Sequence, residues 1–309
     1  MKVLLVGSGA REHALAWKIA QSPALSELHA APGNPGIAGL GRCHPLRVDD
    51  VEGLLALCRE QAFDLVVVGP EAPLVAGVAD GLRRAGVAVF GPGASAARIE
   101  GSKSFAKEIM RAAGVPTAAE LEHVSAPCVI KADGLAAGKG VFVCRTEAEA
   151  QEAWKRAQAL GDRILVEELL DGEEVSVFAV TDGVEAVLLA LLASAAEGRL
   201  DAREASASAD AAVTVVLAAG GYPDAPVTGA EIRGVAEAEA TGALVFHAGT
   251  ALRAGRPVSA GGRVLSVTAT APTVVEARDR AYEAVALIDF EGAQYRSDIA
   301  LKAGLHVAS

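Results

Sequence analysis

The sequence predicts an α/β protein built in more than one part, and three observations carry that reading. Over the first 100 residues, short apolar runs alternate with amphipathic stretches, the pattern of a parallel sheet with helices on both faces. At Val129–Val143 the run VIKADGLAAGKGVFV reads as strand, glycine-rich loop, strand. From Ala212 onward several β-branched runs are closed by one helix at Thr273–Ile288, which suits a small α+β domain.

Bulk properties narrow the class of protein. At 309 residues the chain is long enough for two or three domains with a sizeable core. Hydrophobic content of 51% and a mean hydropathy of +0.33 mark a compact globule without the composition of a disordered chain. Aromatic residues make up only 4%, so Ala, Val and Leu must build the core. The net charge of −11, with no dense Lys/Arg block, argues against a nucleic-acid partner but leaves room for a local basic pocket. Cys43, Cys58, Cys128 and Cys144 are widely spaced with no C-x-x-C pair, as expected of reduced thiols in a cytoplasmic protein rather than a zinc site. The start MKVLLVGSG reads as a strand entering a turn, not as a signal peptide. The longest apolar run, 186–196, is too short to span a bilayer.

The elements follow in order. Lys2–Val6 is a buried strand, and Gly7-Ser8-Gly9 leads into a helix through about Gln21, where a helix N-terminus can receive a phosphate. The dinucleotide fingerprint needs a small residue where Glu12 stands, which disfavours an NAD-dependent dehydrogenase. Glu27–Ala31 is the second strand and ends in the loop Pro32–Gly36. A helix at Val51–Gln61 precedes the strand Asp64–Val68, which runs into the loop Gly69–Leu74. Helix Val78–Ala85, strand Val87–Phe90 and helix Ser95–Glu100 complete this part. Ligands of such sheets gather at the carboxyl ends of the strands, here the loops rich in Gly, Pro, Asn, Glu and Arg.

Gly101-Ser102-Lys103 opens a helix to about Ala113. In the hairpin that follows, Gly134, Gly138 and Gly140 let backbone N–H groups turn towards an anion, and Lys131 and Lys139 can neutralise one. A triphosphate fits this chemistry. The loop is not a Walker A motif, because no Ser or Thr follows the lysine and a strand comes next. Glu147–Leu160 is an amphipathic helix with Ala150, Trp154, Ala157 and Leu160 on its apolar side. Strands at Arg163–Glu168 and Val175–Val180 flank a turn carrying Glu167, Glu168, Glu173 and Glu174, by itself the look of a solvated hairpin. Beyond the small polar stretch 203–212, strands are expected at Val213–Ala218, Leu244–Gly249, Pro257–Ser259 and Arg263–Thr268, and Thr273 and Glu276 form a capping-box signature.

Taken together, the motifs resemble one family. GSGAREHALAWK at 7–18, APGNPG at 31–36, VVGPEAPLVAG at 67–77, EGSK at 100–103, VIKADGLAAGKGV at 129–141, EELLDGEE at 167–174 and AAGGYP at 218–223 are similar to the glycinamide ribonucleotide synthetases. FHAGT at 246–250, GGRVL at 261–265 and RSDI at 296–299 continue the likeness. Ala10 and Ala300 stand where that family usually has glycine. These are ATP-grasp ligases of purine biosynthesis that join glycine to 5-phosphoribosylamine through glycyl phosphate. The resemblance implies a Rossmann-like pre-ATP-grasp domain at 1–100 and an ATP-grasp region at 101–204, with a lid at about 117–180 and a truncated central part. It implies a C-terminal α+β domain at 205–309. It also implies that Lys103 and Lys131 face the ATP phosphates, and that Gly138, Lys139 and Gly140 cover them. Glu167, Glu168 and Leu170 frame the adenine, and Glu174 holds the ribose hydroxyls. Gly9, Arg11, Glu12, His13, Pro70, Glu71, Ala72 and Pro73 line the phosphoribosylamine side.

The family expects Mg²⁺ on a Glu-x-Asn motif in a block that would follow residue 190 or so. That motif is absent, since Asn34 is the sole asparagine of the chain. The alternative is therefore a nucleotide- or sugar-phosphate-binding relative that has lost the metal half of its site. The shortened centre also leads to an expectation that 186–196 presents an apolar surface and mediates self-association.

Overall fold

The computed structural model describes residues 1–135, 139–161, 163–172, 192, 193, 196 and 208–301. The chain divides into two compact units, the first comprising Met1–Gly69, Leu82–Gly91 and Val180–Ser309, the second Pro70–Gly81 and Pro92–Ala179.

The first unit begins with the expected doubly wound sheet. Strands β1 (Lys2–Gly7), β2 (Glu27–Pro32), β3 (Arg42–Cys43), β4 (Leu65–Val68) and β5 (Val89–Phe90) lie in the order β3-β2-β1-β4-β5. Every neighbouring pair is parallel. Val3, Leu4, Leu5 and Val6 are fully buried, because a parallel sheet covered on both faces leaves no solvent side and selects continuous apolar strands. Helices α1 (Ala10–Ala20), α2 (Pro35–Ala38) and α3 (Val51–Gln61) connect these strands. Between β4 and β5 run α4 (Glu71–Val75) and α5 (Val78–Arg84).

Helix α4 occupies part of the stretch read above as a loop. Its prolines mislead only in the helix interior. Pro70 is the N-cap and Pro73 sits in the first turn, where an N–H has no intrahelical acceptor to lose.

In the second unit, α6 (Ala94–Gly101) and α7 (Lys103–Ala112) precede an antiparallel sheet. Its strands β6 (Cys128–Ala132), β7 (Val141–Cys144) and β8 (Ile164–Glu168) are ordered β7-β6-β8. Helix α8 (Glu147–Gln158) covers one face, packing Ala150, Ala153 and Ala157 against Cys128, Ile130, Ala132, Cys144 and Val166. Thr146 and Glu149 close a capping box at its start. Leu160, expected on the apolar side, lies beyond the last turn and is exposed. The returning strand expected at Val175–Val180 lies outside the described residues.

The C-terminal part of the first unit holds β9 (Ala211–Ala218), α9 (Val235–Ala240), β10 (Leu244–His247), β11 (Thr250–Arg253), β12 (Arg256–Ser259), β13 (Arg263–Ala271) and α10 (Val274–Ala286). An antiparallel sheet in the order β10-β13-β9 carries α10 on one face. Ala277, Ala281, Ala284 and Val285 meet Val215, Leu217, Val245 and Val267 there. Hairpin β11–β12 turns at Ala254 and Gly255, both at positive φ (50° and 78°), the twist a two-residue hairpin requires. Strand β11 and helices α2 and α9 were not expected, being too short to show a period.

Of the segment 186–196, residues 192, 193 and 196 are described. Leu192 is 4% exposed and belongs to the core of the parallel sheet, with Val3, Leu5, Ile19 and Leu65. It is therefore not available to a self-association surface. Leu188, Leu189 and Leu191 lie outside the described residues.

Candidate active site

In the first unit, the glycine turn after β1 is filled by a side chain of its own helix. Glu12 is buried, and its Oε2 accepts from the Gly9 N–H at 2.7 Å while Oε1 accepts from Arg11 Nε at 2.9 Å. The carboxylate lies against Gly7, Gly9 and Gly69, at each of which a Cβ would collide with it. Glu12 thus caps α1 and takes the place beside the strand ends that a dinucleotide pyrophosphate needs, a physical reason for setting aside the dehydrogenase reading.

His13, one residue on, is also buried. Its Nδ1 accepts from the His247 N–H at 2.8 Å, so the remaining ring proton sits on Nε2. Burial, and next the neighbouring His247, lower its pKa from 6.5 to about 4, and the ring is neutral at pH 7. Asn34 ties the same region together. Its Oδ1 accepts from Ile37 N–H at 2.9 Å, and its Nδ2 donates to the Ser8 and His247 carbonyls at 2.9 Å each. Gly36 completes the contact, because a Cβ there would overlap the His13 ring. Gly9, Arg11, Glu12 and His13 are therefore gathered at one end of the parallel sheet, against the end of β10. Pro70, Glu71 and Pro73 belong to the second unit, where Pro73 is buried and Glu71 opens α4.

In the second unit, strand alternation and register place Val129, Lys131, Val141, Val143, Leu165 and Glu167 on the sheet face opposite α8. Val141 and Val143 are exposed there. Lys131 is held by an ion pair, Nζ to Glu167 Oε2 at 2.5 Å, and Glu167 Oε1 accepts from Lys107 Nζ at 3.2 Å. Glu167 and Lys107 are 3% and 5% exposed. Lys107 also donates to the Ala118 carbonyl and reaches Thr117 Oγ1 at 3.5 Å. Sequence reasoning missed Lys107; its spacing of four from Lys103, one helical turn, was the available signal.

Asp133 was also missed as a site residue. Its carboxylate accepts from Lys103 N–H at 2.6 Å and Gly134 N–H at 2.9 Å, and from the hydroxyls of Ser102 (3.1 Å) and Ser104. Burial works to raise its pKa, but these hydrogen bonds outweigh it and hold the carboxyl below its usual range. Asp133 thereby pins the glycine loop to the start of α7. Lys103 Nζ completes the junction by donating to the Gly134 carbonyl at 2.8 Å.

The remaining expected residues are spread along the same sheet. Glu168 Oε1 accepts from the Ala119 N–H at 2.8 Å, and its own N–H is bonded to the Ala119 carbonyl at 3.0 Å. Leu170 and Lys139 are exposed and Gly140 is buried, its carbonyl accepting from Ala132 N–H at 2.8 Å. Gly138, Glu173 and Glu174 lie outside the described residues. Exposed Val141 and Val143 share this face with Lys131, which pairs with Val141 across the strands, a combination that can take an apolar ring joined to an anion.

Known proteins resemble this chain in sequence and in fold. The model of the phosphoribosylglycinamide synthetase ATP-grasp (A) domain matches residues 101–196. The fold is similar to N5-carboxyaminoimidazole ribonucleotide synthetase from Thermotoga maritima, at a TM-score of 0.58, 15% identity and coverage of 94% of this chain and 99% of the other. With its parallel-sheet domain and antiparallel lysine hairpin, the chain is an ATP-grasp protein. Models of the phosphoribosylglycinamide synthetase N domain and C domain match residues 1–100 and 212–302. Phosphoribosylamine–glycine ligase of Brucella melitensis is 38% identical, and that of Streptomyces coelicolor 40%, each covering 98% of this chain and 98% and 99% of the relative. The crystal structure of phosphoribosylamine–glycine ligase from Thermotoga maritima superposes with a TM-score of 0.74 at 26% identity, over 97% of this chain and 100% of that one. The chain belongs to the phosphoribosylglycinamide synthetase family.

The family match also measures what is shorter here. The alignment to the Brucella relative runs over 419 positions against 309 residues, so at least 110 positions (419 − 309) face no residue of this chain. Because 98% of both sequences is covered, most of the shortfall is internal.

Proposed function

We propose that this chain joins glycine to 5-phosphoribosylamine with cleavage of ATP to ADP and phosphate, giving glycinamide ribonucleotide in the cytoplasm. The observation that carries the reading is the sheet face on which Lys131 and Glu167 stand beside exposed Val141 and Val143, bounded by a glycine loop that Asp133 and Lys103 fix to α7. The relatives bearing these domains are named phosphoribosylamine–glycine ligases, which favours the ligase over the catalytically impaired alternative.

In this reading residues 101–204 hold the nucleotide, with a lid at about 117–180, while 1–100 and 205–309 hold the sugar phosphate. The adenine rests near Glu167, Glu168 and Leu170, with Glu174 on the ribose. Lys103, Lys131 and Lys139 neutralise the phosphates under Gly138 and Gly140, and Lys131 exchanges Glu167 for a phosphate oxygen as the nucleotide enters. No protein nucleophile is required. The glycine carboxylate attacks the γ-phosphorus, ADP leaves, and the amine of phosphoribosylamine then displaces phosphate from glycyl phosphate. Fixed cations lower the cost of bringing two anions together, and alignment supplies much of the rest. Gly9, Arg11, Glu12, His13, Pro70, Glu71 and Pro73 belong to the phosphoribosylamine side, where Glu12 and neutral His13 act by shaping the loop.

The family expects Mg²⁺, and the described residues do not fit it. Among them no cluster of three or more His, Cys, Asp or Glu side chains could hold a metal. The two acids nearest the lysine loop are already engaged, Glu167 by two lysines and Asp133 by the start of α7. The test is release of ADP and phosphate by the mass-verified chain with ATP, Mg²⁺, glycine and freshly generated phosphoribosylamine. Turnover on the order of 10 s⁻¹ that depends on glycine and falls at least a hundredfold in Lys131→Met supports the assignment. ATP cleavage indifferent to glycine, or none, refutes it.

A further inference from the structure

The buried carboxylate of Glu167 holds one more cation than its charge requires. Its Oε2 meets Lys131 Nζ at 2.5 Å, and its Oε1 meets Lys107 Nζ at 3.2 Å. The two lysines are not equivalent. Lys131 stands on β6 directly across from exposed Val141, with its side chain 28% exposed. Among the described residues its ammonium has no other partner. Lys107 is buried on α7 and also donates to the Ala118 carbonyl.

The surroundings of Lys107 are fixed on both sides. Ser102 caps the start of α7, accepting from Phe105 N–H at 3.2 Å, and Asp133 accepts from Lys103 N–H at 2.6 Å. The segment that carries Ala118 is tied to β8. Ala119 N–H donates to Glu168 Oε1 at 2.8 Å, the Ala119 carbonyl accepts from Glu168 N–H at 3.0 Å, and Leu121 N–H donates to the Val166 carbonyl at 2.8 Å. Glu120, bridged to Glu167 across this edge, is exposed and pairs with Arg111 at 3.4 Å. Lys107 is therefore a fixed counter-ion, while Lys131 is an exchangeable one at the exposed face.

That difference matters when a phosphate arrives. To bind it, Lys131 must let go of Glu167. Were Lys131 the sole counter-ion, its departure would leave a buried carboxylate unpaired, the most costly state of such a pair. With Lys107 in place the carboxylate stays compensated, and Lys131 merely exchanges one charge-assisted partner for another.

We infer that Lys107 is a positioning residue for the nucleotide phosphates, which retains Glu167 so that Lys131 can pass to the triphosphate. Lys107 itself touches no nucleotide. The inference rests on the reading above that Lys131 meets the ATP phosphates.

The test is calorimetric titration of the full chain with ATP and with AMP in one Mg²⁺-containing buffer. Lys107→Met leaves Glu167 paired with Lys131 alone. It should weaken ATP by a factor of about ten or more, because a buried pair must now be broken, and AMP by much less. Lys107→Met combined with Glu167→Gln removes the charge that held Lys131 back, and should return the ATP-to-AMP affinity ratio to that of the unaltered chain. A residue that only braces α7 would weaken both nucleotides together and would not be rescued in this way. Urea unfolding followed by Trp154 fluorescence confirms that each variant is folded during the titration. Equal losses for ATP and AMP in Lys107→Met, unchanged ATP affinity in that variant, or a double variant no better than the single one would each overturn the inference, as would an unaltered chain that binds no ATP. The expected affinity ratios without glycine-dependent ADP release would keep Lys107 in this role and overturn the ligase reading instead.

Discussion

Replacing Glu167 with glutamine should destabilise the second unit by about 3 kcal/mol. The carboxylate is 3% exposed and is the counter-ion of Lys107, itself 5% exposed. Glutamine keeps the shape but leaves the Lys107 ammonium with only the Ala118 carbonyl and a 3.5 Å contact to Thr117 Oγ1. Removing one partner of a buried pair costs roughly 3–5 kcal/mol, because the other charge stays buried. Lys131 adds little to this figure, since its side chain is 28% exposed and water can take over its solvation. The low end of the range is therefore the expectation. Of the two tryptophans, Trp154 reports on the second unit, so urea unfolding followed by fluorescence in a Trp17→Phe background isolates it. A second variant completes the argument: Lys107→Met with Glu167→Leu removes both charges and should recover at least half of the loss. A loss under about 1 kcal/mol for Glu167→Gln, or no recovery in the double variant, would refute the claim that a buried charge pair holds α7 to the sheet.

Three further outcomes are expected. Lys131→Met should weaken ATP at least tenfold more than AMP, because the contact it loses is to phosphates that AMP lacks; equal losses by calorimetry would remove Lys131 from the triphosphate. Asn34→Ala should cost about 2–3 kcal/mol of stability, since a buried N–H and two carbonyls lose their partner, and Asn34→Asp should be no better, because it cannot donate to Ser8 and His247; a neutral Asn34→Asp in urea unfolding would show that those donations do not matter. The depressed pKa of His13 means that the unfolded chain takes up its proton first as pH falls, so stability is complete above pH 6.5 and declines towards pH 4. The chain carrying His13→Gln, which keeps an acceptor for the His247 N–H, should show a shallower decline across that window, and identical slopes would exclude His13 as the source.

The elements of this chain were largely legible because their signals are local. Apolar runs bounded by glycine and proline gave β1, β2 and β4, and the period of α3 placed Val51–Gln61 without error. The hairpin around the lysine loop was likewise read from β-branched strands on either side of three glycines, and the motif set pointed to the family. Short elements such as α2, α4 and β11 escaped, since four or five residues complete no period and tertiary contacts decide their conformation.

Which partners these residues hold was decided by the tertiary structure alone. Nothing local says that Asn34 bonds to a carbonyl 213 residues away, or that His13 receives the N–H of a residue 234 positions on. Glu12 reads only as a residue too large for a dinucleotide turn until β4 brings Gly69 against it. Glu167 reads as one of four acids on a solvated turn until antiparallel pairing and α7 surround it with Lys131 and Lys107. The physical reason is the same in each case. A sequence fixes which groups need hydrogen bonds or counter-charges, but the partner is whichever group the packing of distant strands and helices carries within about 3 Å.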